Sequence, residues 1–208
     1  IAGAATFAST VTVVGATHLQ STVSVGGAAI FASTVTVVGN AVFTADIQKK
    51  TAGTSNFAAG VNAGNSIESG GNYNVVVGDE AGTAITTGDS NVAVGYVALD
   101  ANTTGIDNTA VGASALGANT TASYNAAVGT RSLQSNTTGA NNTALGNDSG
   151  QANTTGTENT AVGAGSFYYN TTGSSNVAIG RLALFNNTTA ADNTAVGDSA
   201  LKANTTGA

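Results

Sequence analysis

The chain has 208 residues, a formal net charge of −6 and only 8% charged residues, and it contains no Pro, Cys, Met or Trp. The lack of Cys excludes disulfides and Cys-ligated metal sites. Five basic residues against eleven acidic ones exclude the basic stripe that binds nucleic acid. Aromatic residues make up 5% of the chain, so its core must consist of small aliphatic side chains, which suit stacked β-structure.

Residues 1–50 repeat with a period of 12. The stretch F-A-S-T-V-T-V-V occurs at residues 7–14 and again at residues 31–38. Alternating Thr and Val is typical of a half-buried strand, so each unit predicts one strand followed by a glycine turn. The glycines that mark the period are Gly3, Gly15, Gly27 and Gly39.

Residues 51–73 are rich in Gly, Ser and Asn and are predicted to be a transition segment. Residues 74–208 then repeat with a period of 17, without insertion or deletion. Each unit carries an N-x-A-V-G segment, an apolar anchor and an N-T-T-G segment, and predicts a strand, a turn, the anchor, a turn and a second short strand. The structural repeat positions of one unit are Asn91, Val94, Gly95, Leu99, Asn102 and Gly105.

A single repeat unit is too small to bury its own apolar face and must stack on its neighbours. In such a stack each residue lies over its equivalent in the next turn, so the Asn columns form amide ladders. We expect the glycine of V-G to have positive φ or to allow a close backbone approach. The apolar column expected to form an interior ridge is Val77, Val94, Val111, Val128, Leu145, Val162, Ile179 and Val196.

The fold class predicted from these repeats is all-β, a repeat solenoid or parallel β-roll fibre. One strong and one mixed apolar column per turn give little apolar area to offset about 1 to 2 kcal/mol of backbone entropy per ordered residue. Association around a common axis relieves that deficit. We therefore expect a homotrimer, either intertwined or side by side.

The motifs S-N-V-A-V-G at residues 90–95 and S-N-V-A-I-G at residues 175–180 resemble the head repeat of trimeric autotransporter adhesins. That resemblance covers residues 74–208 and implies a trimeric left-handed parallel β-roll, although the period of 17 is a few residues longer than is typical of that family. The 12-residue units look like the short repeats of bacteriophage tail-fibre proteins. The two systems together favour a phage tail fibre.

The sequence predicts no catalytic residue, no cofactor site and no metal site. His18 is the only histidine, so neither a catalytic triad nor a two-histidine metal motif can be formed within one chain. The glycine turns lack the G-K-[ST] of a phosphate loop. A polysaccharide-cleaving tailspike remains an alternative, but it requires paired carboxylates, and the spacing of Asp89 and Asp107 is one step out of register with the repeat.

Two surface features stand out. The N-T-T elements match the N-glycosylation acceptor, which in a phage or bacterial protein is a by-product of turn chemistry and in a glycosylating host predicts glycans on one face. A surface contact patch, for sugar or protein, is predicted where Tyr168 and Phe185 would stack on adjacent turns; stiffening of the shaft is the competing explanation. Its residues are Phe167, Tyr168, Tyr169, Arg181 and Phe185.

We expect this chain to be the structural shaft of a phage tail fibre, located in the virion, and a fragment of a longer polypeptide. Its expected partners are itself, neighbouring fibre or tail proteins, and a host cell-surface receptor bound through a region outside this fragment. We expect no nucleic-acid partner and no membrane insertion. The alternative is a trimeric adhesin or filament subunit on a bacterial surface that binds host or matrix glycans.

Overall fold

A computed structural model describes residues 53–207. The 12-residue repeats predicted over residues 1–50 lie outside the described residues, as does His18. Within the described part of the chain the secondary structure consists of three-residue strands and turns, with no helix. The strands are β1 Phe57–Ala59, β2 Val75–Val77, β3 Val92–Val94, β4 Thr109–Val111, β5 Ala126–Val128, β6 Thr143–Leu145, β7 Thr160–Val162, β8 Val177–Ile179 and β9 Thr194–Val196.

All nine strands form one parallel sheet in which each strand pairs with the next strand of the chain. From β2 onward every residue pairs with its equivalent in the next repeat, as Val94 does with Val111. The chain therefore winds as a parallel β-solenoid of about eight turns, with one strand per turn, and the predicted solenoid is confirmed. At about 4.8 Å per turn the stack is roughly 40 Å long.

The segment predicted to be a transition contributes the first strand of this solenoid. Phe57 of β1 pairs with Val75 of β2, an offset of 18 instead of 17. Ile67, from the same segment, is buried in the core. The stack therefore begins before Asn74, where the strict repeat period starts.

The second short strand predicted at N-T-T-G is absent from residues 53–207. Backbone hydrogen bonds still join this part of each turn to the next, because the Thr103 N–H donates to the Thr120 carbonyl over 2.8 Å. Left-handed residues lie on both sides of this segment, Leu99 with φ of 52° before it and Asp107 with φ of 54° after it, so extended backbone cannot continue through the turn. The hydrogen-bonded ladder is therefore continuous although each turn has only one strand.

The prediction that the Val, Leu and Ile column forms an interior ridge is wrong. The middle residue of each strand points inward, and Ala93 and Ala110 have no exposed surface. Val94 and Val111 point outward and are half-buried, and Leu145 is 49% exposed. Because side chains alternate along a strand, burying the small alanine places both of its larger neighbours outside.

A buried apolar column faces the alanines from the other side of each turn. Its residues have left-handed φ values, from 48° at Leu201 to 61° at Gly150, a conformation that costs a residue other than glycine about 1 kcal/mol. Glycine at two positions avoids that cost, and neighbouring apolar groups fill the space, with Ile85 against Gly82 and Leu133 against Gly150. The column is Gly82, Leu99, Leu116, Leu133, Gly150, Phe167, Leu184 and the exposed Leu201.

Two ladders of buried asparagines complete the interior, as the sequence predicted. In one ladder Asn91 donates from Nδ2 to Asn74 Oδ1 over 3.1 Å and to the Gly105 carbonyl over 2.9 Å. In the other, Asn119 donates to Asn102 Oδ1 over 2.9 Å. No buried side-chain nitrogen or oxygen in the described residues lacks a hydrogen-bond partner. Because each of these buried polar atoms has a hydrogen-bond partner, a polar interior does not destabilise the fold.

These ladders change the expectation for the glycosylation motifs. The asparagines of the N-T-T elements from Asn102 to Asn187 have no exposed surface. Their Nδ2 groups donate to neighbouring side chains and carbonyls, as Asn136 does to Gly139. A glycan on Nδ2 would have no room, so the folded turns present no acceptor there. Only Asn204, at the last turn, is part-buried.

The V-G turn agrees with the prediction for its glycine. Gly95 has φ of 136°, and a Cβ atom there would lie 2.7 Å from the carbonyl carbon of Gly112 in the next turn. A side chain would clash with backbone at that distance, so glycine is needed for both its conformation and its size.

Candidate functional site

The outward side of the nine strands is a continuous apolar strip, which we call the strand face. It consists of the first and third residues of β1 to β9. None of these residues is charged, and all are apolar except Thr109, Thr143, Thr160 and Thr194. Its most exposed members include Leu145 and Val196, at 49% and 66%.

The strand face carries most of the β-branched side chains of the strands, because valine, isoleucine and threonine occupy most of their outward positions. With two outward side chains per strand it is about 10 Å wide and 40 Å long. Its area of roughly 400 Å² is that of the largest apolar patch on a typical monomer, which is often functional. The face is therefore a candidate interaction surface.

A cluster of three aromatic rings lies on another side of the turns. The rings of Tyr168 and Phe185 stack with centroids 5.2 Å apart and planes inclined by 26°. Tyr169 meets both rings edge to face, at 4.7 Å from Tyr168 and 5.1 Å from Phe185. The predicted stacking of Tyr168 on Phe185 across adjacent turns is therefore confirmed. Such geometry contributes about 0.5 to 1.5 kcal/mol per pair beyond buried area.

Beside the stacked rings is a cavity of about 300 Å³, which we call the aromatic cleft. Tyr168 and Phe185 form its apolar wall. Gly165 provides space, because a Cβ atom there would approach Phe185 to 3.6 Å and Leu182 to 3.0 Å. The remaining lining residues are Asn147, Asp148, Ala164, Arg181 and Leu182.

Ion pairs surround the aromatic cleft. Arg131 donates two hydrogen bonds to the Asp148 carboxylate, from Nε over 2.6 Å and from a terminal nitrogen over 2.9 Å, so the ion pair is bidentate. Arg181 makes a 2.9 Å contact with Asp198, and both side chains are mainly exposed. Lys202 places its ammonium 5.6 Å from the centroid of Phe185. The Arg131 guanidinium lowers the pKa of Asp148, chiefly through its hydrogen bond, so this carboxyl stays ionised.

A second cavity, of about 550 Å³, lies nearer the N-terminal end of the stack. Its lining includes Asp100 and Gln134, with Gly117 between them in sequence. Burial raises the pKa of Asp100, with a smaller contribution from the charge of Glu80, while backbone hydrogen bonds act in the opposite direction. This cavity has no aromatic wall and no cation.

The structure brings four of the five predicted patch residues together at the surface. Tyr168, Arg181 and Phe185 line the aromatic cleft, and Tyr169 lies beside them. Phe167 is only 1% exposed and belongs to the core column, so it contributes no surface. It occupies the position that leucine holds in most turns, which was the signal in the sequence that it lies inside.

Sequence reasoning placed Lys202 in the column of Tyr168 and Phe185 but missed Asn147 and Asp148 as neighbours of the patch. For Asp148 the period supplied a signal, because it lies 17 residues after Arg131, the same spacing that separates Arg181 from Asp198. A basic residue and an acidic residue at equivalent positions of successive turns predict an ion pair along the stack.

The acidic residues of the described turns form no metal site. No group of three or more His, Asp or Glu side chains within residues 53–207 is arranged to hold a metal ion. Asp89 accepts a 2.6 Å hydrogen bond from the Asn72 backbone N–H, which gives it a structural role. In that same part of the chain no helix has the length and apolarity to cross a membrane.

Comparisons with protein families, with curated proteins and with solved structures gave no match. The strand face and the aromatic cleft are therefore the basis for a functional proposal.

Proposed function

We propose that this chain is the structural shaft of a viral tail fibre, assembled as a homotrimer with the strand faces around a common axis. The shaft spaces and supports the part of the fibre that binds the host receptor. Its role is mechanical and does not involve catalysis. The observation that carries the proposal is the uncharged strand face along the entire described solenoid.

The strand face supports self-association because it is uncharged along the whole stack. At about 4.8 Å per turn, the third residue of every strand is apolar and the first is apolar or threonine. Copies that run parallel around an axis then match turn for turn, with Val94 of one copy level with Val94 of the others. Burial of apolar area at about 25 cal/mol per Å² supplies the driving force.

The narrowness of the strand face favours several copies around an axis over a flat pair. A strip two side chains wide buries little area between two copies, less than the roughly 800 Å² per partner of a stable interface. Three strips that converge on one axis shield each other from water on both sides. A closed cyclic arrangement also leaves no free face for further growth.

Continuous hydrogen bonding supports the mechanical role. Backbone and asparagine ladders join each turn to the next, so axial extension must break several bonds per turn at once. A rod of this kind transmits force and holds a distance, and both are what a shaft requires.

The location of the chain tests the assignment to a tail fibre. Gold-labelled antibodies against residues 53–207 should decorate fibres that project from purified virions of the source, and pre-incubation with the purified chain should abolish the labelling. Labelling of a bacterial envelope instead would overturn the tail-fibre assignment in favour of a surface adhesin. Labelling of neither would contradict both assignments.

A further inference from the structure

We propose that the aromatic cleft binds an acidic saccharide, a sugar chain bearing carboxylates, directly on the side of the solenoid. This goes beyond a shaft that only supports a distant binding region. It depends on the contacts at Tyr168, Phe185 and Arg181 and not on the assignment to a tail fibre.

The distribution of positive charge points to an anionic ligand. Residues 53–207 contain three basic residues against ten acidic ones. All three basic residues border the aromatic cleft or its ion pairs: Arg181 lines it, Lys202 lies over Phe185, and Arg131 binds Asp148 of its lining. With Asp148 and Asp198 counted, this is the one locally cationic region of the described turns.

Two of these cations are available to a ligand. The Arg181 side chain is 62% exposed, and its pair with Asp198 lies at the surface, where such pairs contribute little. The Lys202 ammonium has no carboxylate partner within residues 53–207. A ligand carboxylate can therefore accept a hydrogen bond from Arg181, which lines the cleft, without first breaking a buried ion pair, and Lys202 adds positive charge beside Phe185.

The aromatic wall identifies the rest of the ligand as a sugar. A pyranose ring has an apolar face of C–H groups and hydroxyls around its edge. Tyr168 and Phe185 stack on each other, so the cleft offers the sugar an apolar wall made of two ring edges, and Asn147 and Asp148 are polar lining residues for its hydroxyls. A volume of about 300 Å³ is at the small end of ligand sites and suits one sugar ring.

The backbone around the cleft argues against an extended peptide. The Gly165 N–H donates to Asn147, the Leu182 N–H to Ala164 and the Tyr169 N–H to Phe185, each in a neighbouring turn. A peptide therefore finds no free strand edge to pair with at these residues. Recognition at the cleft therefore comes from side chains, which suits a sugar ligand.

The experiment measures binding of defined oligosaccharides to the full 208-residue chain by isothermal titration calorimetry. The acidic probes are tetragalacturonate and a tetramer of sialic acid, and the comparisons are uncharged maltotetraose and a hexaglutamate peptide. We expect one or both acidic saccharides to bind, and maltotetraose and hexaglutamate to bind at least tenfold more weakly.

Variants locate the site. Arg181→Gln and Tyr168→Ala should each weaken binding of the acidic saccharide about tenfold, the first from loss of a charge-assisted hydrogen bond and the second from loss of half of the apolar wall. Tyr124→Ala, which removes another exposed tyrosine in a different column, should leave binding unchanged. If circular dichroism shows that Tyr168→Ala does not fold, the variant Arg181→Gln, at an exposed position, tests the location of the site.

Three results would overturn the proposal. The first is that neither acidic saccharide binds. The second is that maltotetraose binds equally well, which would remove the role of charge. The third is that hexaglutamate binds more tightly than both sugars, which would assign the cleft to an acidic peptide.

Discussion

On most strands of this solenoid the smaller side chain points inward and the larger ones point outward, the reverse of the usual arrangement. The inward side carries a column of alanine, with Val76 as the one larger member, and the outward side carries mostly valine, isoleucine and leucine. The interior is completed by asparagine ladders and leucines, so at most strands it has room for only a methyl group, and the larger Val76 fits because Gly82 beside it has no side chain. The larger residues of the other strands lie outside, where one chain leaves them partly in water.

This difference shows that apolar character alone does not identify the core of a narrow solenoid. The space inside each short turn limits the size of the side chain that a strand can point inward. The strand face is therefore the surface through which we propose that copies assemble, whereas the alanine and asparagine columns hold the single chain together.

The largest effect on folding should come from breaking an asparagine ladder. Asn136 donates to Asn119 and Gly139 and accepts from Asn153. We expect Asn136→Ala to lower the free energy of unfolding by about 3 kcal/mol, because these buried partners are left unsatisfied. Chemical denaturation monitored by circular dichroism measures the change. Thr138→Ala, at an exposed position close by in the same turn, is the control and should have little effect.

The contrast between the two sides of a strand can be tested with one substitution made twice. Ala127 points inward and Ala126 points outward on the same strand, β5. Ala127→Leu should destabilise the fold by about 2 kcal/mol through overpacking. Ala126→Leu should be neutral or stabilising. If both variants unfold at the same denaturant concentration, the interior is not as full as the structure indicates.

The charged residues on the turns lie on neither side of the strands, and we expect them to contribute less to the stability of the fold than the buried residues do. Arg131 lowers the pKa of Asp148, so the pair stabilises the fold above the ordinary carboxyl pKa, and this stabilisation is lost as pH falls through the lowered value. Arg131→Gln should therefore reduce the melting temperature slightly at pH 7. Relative to wild type the reduction should disappear in strong acid; a reduction that persists at low pH would indicate lost packing instead of lost charge.

The smallest effect should have the opposite sign. Burial raises the pKa of Asp100, so the ionised carboxylate is disfavoured in the folded chain at neutral pH. Asp100→Asn should raise the melting temperature slightly at pH 7. Its advantage should disappear as pH falls below the raised folded pKa toward the unfolded one. A lower melting temperature for the variant at pH 7 would contradict this account.

Much of the fold could be predicted because stacking repeats every constraint. The period of 17 predicts the parallel register, and recurrence of Asn91, Asn108 and their equivalents predicts the ladders. The side of each strand that faces the interior could not be predicted, because in V-A-V and T-A-V either the middle residue or its two neighbours could point inward. That choice depends on the space left by Asn and Leu across the turn, which is a tertiary property.

The candidate site was predictable only in part. The repeat spacing between Tyr168 and Phe185 predicted their stacking. The same spacing places Lys202 next to Phe185, and the leucine column was the signal for the burial of Phe167. The position of Asn147 and Asp148 beside the rings depends on how each turn folds. A period gives neighbours along the stack but not across it.

The mass of the assembled chain tests the central claim that the strand face joins three copies. Native mass spectrometry of the 208-residue chain should give three times the chain mass, and Val111→Lys with Val128→Lys should give the single-chain mass with an unchanged circular dichroism spectrum. Thr121→Lys with Thr138→Lys, at exposed positions of another column, should remain trimeric. A single-chain mass for the unmodified protein, or a trimer that survives lysines on the strand face, would contradict the account.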